Sequence, residues 1–417
     1  MGSQDYPVAQ QCDVLVIGAG PAGSACALTL ARAGLDGVLA DRQAFPRDKV
    51  CGDGLIHDSH QALDKLGVLQ EVLQAANVCS HITIIGPHGG RAAIPATVSV
   101  LPRKELDWII CQGAQRHGAT LLAPATLVSL MMDASGQVNG AILEHLQQKM
   151  SIHAKWVVMA TGASAGPLAL AGMSTRSAPS AMALRVYVNH PGMTERITSL
   201  EFVWHRKLAP GYGWIFPCGK GVFNIGVGIY PVHAHDTGKK HARATNLHKA
   251  FEAFQEIYPA ARELIRGGQM QSAPKGAPFR TSLEGARYAK AGLLVTGEAA
   301  GSTYTLTGEG IGKAMETGIL AAEALIDARA SVGLDGSPEA TQRVCQTYES
   351  GMAGLKPKFE VYQRVNMLTQ VPELVDLLVW RLKRNPSLTP RLTGLLEEKI
   401  RPDLILTWRG IRKLLFR

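Results

Sequence analysis

The sequence lacks the features that mark a membrane-spanning, secreted or zinc-binding protein. No run among its 417 residues reaches about eighteen uncharged apolar positions, which predicts that no segment spans a bilayer. Residues 1–11 are polar and contain no apolar signal segment, so we expect a cytoplasmic protein. The seven cysteines are scattered and include no C-x-x-C pair, and the histidines lack metal-ligand spacing. This pattern argues against a disulfide framework and predicts no bound metal.

Charge is also scarce, and it is unevenly placed. The composition, 18% charged and 46% hydrophobic, is typical of a globular enzyme, and the length suffices for two domains. Of the net charge of +9, residues 351–417 carry +7, from 13 Lys+Arg against 6 Asp+Glu. Segments 374–384 and 404–417 mix Leu, Val and Trp with cations, which indicates either a solvated helical face or peripheral contact with an anionic membrane or acidic partner. No recognition motif accompanies the charge, so we expect no nucleic-acid partner.

A dinucleotide fingerprint stands near the start of the chain. The apolar run Cys12–Ile17 predicts a strand, and G-x-G-x-x-G follows it with Gly18, Gly20 and Gly23 before a stretch of helix formers. The first glycine permits a tight turn, the second lets the backbone approach a pyrophosphate, and the third allows close helix–strand packing. Asp41 ends a second predicted strand, where a carboxylate accepts ribose hydroxyls.

Two later segments favour FAD over NAD as the dinucleotide. Gly297 and Glu298 follow an apolar strand, and residues 307–311 begin a helix predicted to extend to about position 328. A flavin needs a hydrogen-bonding carboxylate for its ribityl chain and helix N–H groups for its pyrimidine edge. We therefore expect non-covalently bound FAD.

The predicted fold is α/β, with a Rossmann-like FAD-binding domain built on a parallel sheet. Its predicted segments are 1–79, 101–175 and 285–350. Residues 80–100 and 176–284 alternate like strands and contain glycine turns, which predicts an inserted antiparallel β-sheet domain for substrate. Residues 351–417 form a basic helical C-terminal extension, expected to break at its prolines: Pro357, Pro372, Pro386, Pro390 and Pro402.

Three further segments carry a resemblance to a known family. The stretch FPRDKVCGDGL (45–55) is similar to a P-R-x-K-x-C-G motif, and PGYGWIFP (210–217) to a Y-x-W-x-F-P motif. LPRKELDWIICQGAQRHGA (101–119) is similar to an R-x-x-x-D helix. With these segments, residues 12–330 resemble the geranylgeranyl reductase family of FAD-dependent oxidoreductases, within the larger group that includes aromatic hydroxylases and flavin halogenases.

The resemblance implies a set of site residues. Tyr212 and Trp214 would shape an apolar substrate channel toward the flavin, with Cys51 as a further catalytic candidate. Glu298 departs from the family, which usually has Asp there. The implied FAD contacts are Gly18, Gly20, Ala22, Gly23, Asp41, Arg42, Cys51, Gly52, Gly54, Arg103, Leu127, Glu298, Gly310 and Ile311.

Cys51 has three interpretations at this point. Arg47 and Lys49 nearby would favour a reactive thiolate. The flanking glycines favour a wall of the cofactor or substrate site instead. An inert loop thiol is the third alternative.

The leading functional hypothesis is a geranylgeranyl-reductase-like enzyme that reduces C=C bonds of a lipophilic substrate. One alternative is a flavin-dependent monooxygenase or dehydrogenase acting on an aromatic or carrier-bound biosynthetic intermediate. A halogenase is disfavoured, because CGDGL and YGWIFP stand where halogenases have other motifs. A further alternative is a non-catalytic, membrane-associated flavin-binding or electron-shuttling protein. There is no second G-x-G-x-x-G, so an external donor such as NAD(P)H or a reduced carrier is expected.

Overall fold

The computed structural model describes residues 8–175, 180–230, 246–366 and 370–399. The strands before residue 160 are β1 (Val8–Ile17), β2 (Gly37–Ala40), β3 (Gly54–Leu55), β4 (Asn77–Ile85), β5 (Arg91–Val100), β6 (Thr120–Leu122), β7 (Ala125–Met132), β8 (Val138–His145) and β9 (Gln148–Met159). The later strands are β10 (Ala181–Asn189), β11 (Leu200–Val203), β12 (Gly211–Gly219), β13 (Val222–Ile229), β14 (Gln269–Met270), β15 (Lys275–Phe279), β16 (Ala289–Lys290) and β17 (Leu293–Val295).

The α-helices connect these strands and form the C-terminal part. They are α1 (Pro21–Arg32), α2 (His57–Lys65), α3 (Leu69–Ala75), α4 (Arg103–Arg116), α5 (Ala165–Leu170), α6 (Leu247–Ile257), α7 (Pro259–Gly267), α8 (Ile311–Ser331), α9 (Pro338–Val365), α10 (Glu373–Arg384) and α11 (Thr389–Leu396). No described helix is long and apolar enough to cross a membrane.

The first sheet has parallel strands at its centre. Its order is β16-β17-β9-β1-β2-β6, and β1 pairs in parallel with both β2 and β9. Val14, Leu15 and Val16 of β1 are fully buried, as expected of a strand covered on both faces. Antiparallel β7 and β8 extend the sheet from β9. The carboxyl ends of β1 and β2 therefore lie side by side at one edge, where ligands of open α/β sheets bind.

The second sheet is almost entirely antiparallel. Its order is β14-β10-β13-β12-β11-β4-β5-β3, with β15 paired to β10, and among the described strands of this sheet only β11 and β4 pair in parallel. Helices α6 and α7 cover one face, where Phe254 and Leu264 pack with Ile215. The opposite face presents aromatic residues and is covered in part by α10 and α11. The predicted α/β fold with parallel and antiparallel sheets is confirmed.

The C-terminal helices differ from the expected chain of proline-broken segments. Helix α9 runs continuously across position 351 and contains Pro357, so the prediction of a break at Pro357 is wrong. Met352 and Phe359, on either side of this proline, are buried in the core around α8, and this packing offsets the roughly 3 kcal/mol that an internal proline costs. Segment 404–417 lies outside the described residues.

Candidate functional site

A cavity of about 880 Å³ lies where the two sheets meet. All of the predicted site residues except Gly23 border it. Its wall runs from the carboxyl ends of β1 and β2, past the loop at 51–54, to the aromatic face of the second sheet. The structure thus brings together segments that are separated by up to about 290 residues in sequence. The individual role of each residue stays a prediction.

The three glycines of the fingerprint differ in the space around them: two are packed closely against backbone, and one has open space beside it. Gly18 has a φ of 107°, and a Cβ there would lie 2.3 Å from the Ala160 carbonyl oxygen. A Cβ on Gly23 would lie 1.8 Å from the Gly18 carbonyl oxygen, so this glycine packs the turn against α1. The atom nearest to a Cβ on Gly20 would be an Arg47 side-chain nitrogen, at 3.6 Å, so this position leaves room for a ligand. No described side chain caps α1, so its first N–H groups suit a phosphate.

Asp41 is fixed by its neighbours at the end of β2. It is buried, and its Oδ2 accepts the Ala19 N–H at 2.9 Å and an Arg47 N–H at 3.3 Å. Its Oδ1 accepts the Gln43 N–H at 3.0 Å. These contacts hold the carboxylate where ribose hydroxyls would be bound.

Asp107 orients two arginines beside the fingerprint turn. Arg103 donates to both its carboxylate oxygens, at 2.6 and 2.9 Å, and Arg47 donates at 3.0 Å. Both guanidinium groups lie within 4 Å of the open position at Gly20. Sequence reasoning named Arg103 for FAD and missed that Arg47 joins Asp41 to Asp107, although the P-R-x-K motif contained the signal.

The part of the cavity where the flavin is predicted to lie is built around the start of α8. Gly297 has a φ of 67°, and a Cβ there would lie 2.5 Å from Ala22. Glu298 borders the cavity opposite Gly162, where a Cβ would lie at an ordinary contact distance, 3.7 Å, from Oε2. Gly162 therefore lies beside the carboxylate of Glu298 without a close contact, and Glu298 is the position where the family usually has Asp. Gly310 precedes α8 and packs closely against Thr303.

The loop at 51–54 is pressed against the second sheet. A Cβ on Gly52 would lie 3.1 Å from the Phe216 ring, and one on Gly54 would lie 3.3 Å from it. A Cβ at either position would make a tight contact, so the ring or the loop would have to shift by a few tenths of an ångström. The glycines in FPRDKVCGDGL therefore allow the loop to lie close against the aromatic ring.

A buried polar network holds this loop in place. Asp53 is fully buried, has a φ of 66°, and accepts hydrogen bonds from Tyr187 at 2.5 Å and from the Asn224 amide at 2.7 Å. Asn224 also donates to the Cys51 carbonyl at 2.8 Å and accepts the Trp214 indole N–H at 3.0 Å. Burial raises the pKa of Asp53 to about 6, although these donors and Arg185 oppose the shift. Sequence reasoning missed both Asp53 and Asn224.

The surroundings of Cys51 favour the thiol over the thiolate, although Arg103 opposes this shift of the pKa. Its Sγ accepts the Asp53 N–H at 3.4 Å, and burial, followed by the negative charge of Asp53, raises the pKa of the thiol. Arg47, which was expected to favour the thiolate, is engaged by two carboxylates instead. These observations favour the interpretation of Cys51 as part of the cavity wall.

The far end of the cavity is an aromatic chamber. Tyr212, Trp214 and Phe216 alternate along β12 and all face the cavity, as the sequence predicted. Phe202 of the adjoining strand β11 and Trp204 just after it join them, with ring centroids 5.0–6.3 Å apart. Apolar residues of the C-terminal helices complete the chamber, and sequence reasoning missed all of them: Val375, Leu378, Leu392, Leu395 and Leu396.

A cavity that binds a dinucleotide along one side and ends in an apolar chamber suits an FAD-dependent oxidoreductase. The chain belongs to the family described as FAD binding domain, which matches residues 11–330. FAD is therefore its cofactor, and its resemblance to the geranylgeranyl reductases is confirmed by the following relatives.

The chain is 34% identical to a menaquinone reductase of Mycolicibacterium smegmatis over 328 residues, which are 75% of this chain and 76% of the relative. It is 29% identical to a digeranylgeranylglycerophospholipid reductase of Methanosarcina acetivorans over 409 residues, 95% and 94% of the two chains. A crystal structure of a geranylgeranyl bacteriochlorophyll reductase-like protein from Thermoplasma acidophilum superposes with a TM-score of 0.74 at 22% identity, covering 97% of this chain and 96% of that one. The last likeness shows a shared fold.

Proposed function

We propose that this protein uses FAD to reduce C=C bonds in a lipophilic substrate that carries an isoprenoid chain. The aromatic chamber, closed by apolar side chains of α10 and α11, carries the proposal because it offers a long unsaturated chain an apolar surface beside the flavin end of the cavity. The relatives named above are reductases of menaquinone and of a digeranylgeranyl lipid, and both compounds contain isoprenoid chains.

The residues of the cavity fit FAD. Asp41 would hold the adenosine ribose, and the uncapped start of α1 with Arg103 and Arg47 would hold the pyrophosphate. Glu298 would bind the ribityl chain, while Gly310 and Ile311 would present N–H groups at the start of α8 to the flavin ring. When bound and reduced, FAD supplies a hydride equivalent.

The protein's contribution is orientation and a dry chamber. Tyr212 and Trp214 are about 5% exposed, and each has a polar tip with a protein partner, so their rings face the cavity as an apolar surface. The substrate chain would lie along this surface, with the reacting double bond next to the loop at 51–54. The apolar side chains of the C-terminal helices would exclude water there.

Anaerobic single-turnover kinetics tests the reductase proposal. Dithionite-reduced holoprotein mixed with a polyprenyl lipid without O₂ should yield the saturated product and oxidised flavin. A strict need for O₂ with a hydroxylated product would establish the monooxygenase alternative and refute the reductase. Failure of every polyprenyl lipid to reoxidise the flavin faster than buffer would favour the non-catalytic alternative.

The electron donor is proposed to be external. Anaerobic mixing of the oxidised protein with NADPH, NADH or a reduced ferredoxin should bleach the flavin with one of them. Bleaching by none of the three would exclude these donors.

We also propose peripheral membrane contact through the outer face of α10. Val375, Val379 and Leu382 bury one side of this helix, whereas Trp380 on the other side is 44% exposed with the Arg384 guanidinium 4.5 Å from its ring centroid. Four of the seven excess positive charges of the tail come from residues 400–417, outside the described residues. An apolar residue flanked by cations suits an anionic bilayer.

Co-sedimentation with phosphatidylglycerol vesicles at low salt tests this contact. Deleting residues 351–417 would also remove the chamber wall, so a point variant is the better probe. Trp380→Glu should lower binding, while Met132→Glu, at a residue 55% exposed on β7, should leave it unchanged. Equal binding of both variants and wild type would refute the contact.

A further inference from the structure

A buried carboxyl group borders the cavity outside the predicted cofactor contacts. Glu309 is 7% exposed and lies in the loop just before α8. Its N–H donates to the Thr307 hydroxyl at 3.2 Å, and its carbonyl accepts the Tyr304 N–H at 2.8 Å. Tyr212 of the aromatic chamber donates to the Thr307 carbonyl at 2.6 Å. Glu309 therefore lies where the chamber meets the first turn of α8.

The two oxygens of this carboxyl group have different surroundings. Oε1 accepts the Gly312 N–H at 2.8 Å and the Ser59 hydroxyl at 3.2 Å. Among the described residues, both side-chain hydrogen bonds of Glu309 are made by this oxygen. A helix cap needs one acceptor atom, and Oε1 provides it. Oε2 makes neither of these hydrogen bonds, so it is the oxygen that can carry a proton.

The charges around Glu309 disfavour its ionised form. Lys313 is almost fully buried and already pairs with three carboxylates: Asp58 at 3.4 Å, Glu316 at 2.9 Å and Glu398 at 2.8 Å. Lys358 also pairs with Glu398, at 2.9 Å. The groups that face this region come from α2, β12, α8, α9 and the segment after α11: Asp58, Tyr212, Lys313, Glu316, Tyr362 and Glu398.

Burial, together with the negative charge of Asp58, raises the pKa of Glu309 to about 8. Lys313 and the two hydrogen-bond donors oppose this shift without cancelling it. This shift favours the neutral form of the carboxyl group near pH 7, whereas an exposed glutamate would be ionised.

We propose that Glu309 is the acid that holds and delivers the proton consumed in the reduction, an inference that rests on the function proposed above. Saturation of a C=C bond requires a hydride equivalent, which the reduced cofactor supplies, and one proton. The O–H bond of Glu309 breaks, its electron pair stays on the carboxylate, and the proton forms the second C–H bond, directly or through one water. The carboxylate then regains a proton from solvent.

A direct titration of the carboxyl group needs no cofactor. In the apoprotein, infrared difference spectra between pH 5 and 10 should show a protonated carboxyl band that persists at pH 7 and is lost in Glu309→Gln. The matched control Glu323→Gln, at an exposed residue of α8 that pairs with Lys65, should keep the band. The absence of this band at pH 7 in the wild type would overturn the proposal.

Asp58→Asn provides a second test that leaves Glu309 in place. Removing the neighbouring negative charge should lower the midpoint of the band by about one pH unit or more. Lys313 keeps Glu316 and Glu398 as partners, so the variant need not lose its fold. An unchanged midpoint would contradict the electrostatic argument, and this test decides the matter if Glu309→Gln fails to fold.

Single-turnover kinetics then separates a proton donor from a helix cap. The Gln side chain keeps the cap acceptor and the volume but has no acidic proton. Glu309→Gln with FAD bound should form product about 10²- to 10⁴-fold more slowly, and wild-type rates should fall above about pH 8. A rate within about tenfold of wild type would refute the proton role while the reductase function stands. A wild type that reduces no lipid would refute the proposed function, and the apoprotein titration would still decide the protonation of Glu309.

Discussion

Asn224 is the side chain whose removal best tests how the loop at 51–54 is held. It is fully buried and serves three groups: the Trp214 indole N–H, the Cys51 carbonyl and the Asp53 carboxylate. Alanine leaves all three without this partner, and each buried polar group that loses its partner costs roughly 1–3 kcal/mol. Because Asp53 keeps the Tyr187 hydroxyl, we expect Asn224→Ala to lower the free energy of unfolding by roughly 3–6 kcal/mol.

Urea denaturation of the apoprotein, followed by tryptophan fluorescence, measures this loss. Trp214→Phe is a variant for comparison: it removes the indole N–H together with part of the ring, and it leaves the contacts of Asn224 with Cys51 and Asp53 in place. It should cost roughly 1–3 kcal/mol for the lost hydrogen bond and a further amount for the lost ring packing. FAD affinity should fall in Asn224→Ala as well, since the freed Cys51 carbonyl belongs to the cavity wall. If Asn224→Ala unfolds within about 1 kcal/mol of wild type, the network does not hold the loop and the reasoning fails.

Three further predictions concern the same cavity. Gly23→Ala should lower the apoprotein Tm, because the added Cβ would lie 1.8 Å from a backbone oxygen. Gly20→Ala should leave the Tm unchanged and weaken FAD binding at least about tenfold. Similar effects of the two variants on both Tm and FAD binding would contradict this difference between the two glycines. Because burial raises the pKa of Cys51, Cys51→Ala should keep single-turnover rates within about threefold of wild type, and full loss of turnover with FAD bound would establish thiol chemistry. Burial raises the pKa of Asp53 from 3.8 to about 6. The contribution of Asp53 to the free energy of unfolding is therefore fully present below about pH 4, and about 3 kcal/mol of this free energy is lost as the pH rises past 6. Urea midpoints between pH 4 and 8 should show this fall, and Asp53→Asn should remove it.

The sequence predicted those parts of the fold and site that depend on local pattern. The strand, glycine turn and helix at 12–33 were predicted because an apolar run and three glycines at fixed spacing define them without reference to the rest of the chain. Helix α8 was predicted in the same way, within about three residues at each end. The alternation of Tyr212, Trp214 and Phe216 correctly placed all three on one face.

Contacts between distant segments were not predictable from one sequence. Gly52 and Phe216 are 164 positions apart, and nothing in either motif specifies that they touch. Asn224 stands in an ordinary strand pattern, and its importance appears only when β13 is placed beside the loop at 51–54. The residue boundaries between the predicted domains, at 79, 100, 175, 284 and 350, stay predictions.

The C-terminal helices show how a correct local pattern led to an incomplete interpretation. Segment 374–384 was identified as amphipathic and basic, which favoured either solvent or a membrane for its apolar residues. In the structure, Val375, Val379 and Leu382 pack on the second sheet, and Leu378 borders the cavity. A helical period specifies that one face is covered, but it does not specify what covers it.

Helix α10 contributes both to the chamber wall and to the surface proposed to contact the membrane. Val375 and Leu378 form chamber wall, while Trp380 lies roughly on the opposite side of the same helix. This helix therefore separates part of the chamber from the outer face that carries Trp380. If the outer face binds a bilayer, the helix would bring the chamber close to the membrane in which such a lipid is dissolved. Variants of Trp380 should then alter turnover with lipid in vesicles but not with a short, detergent-dispersed polyprenyl substrate, whereas variants of Val375 should alter both.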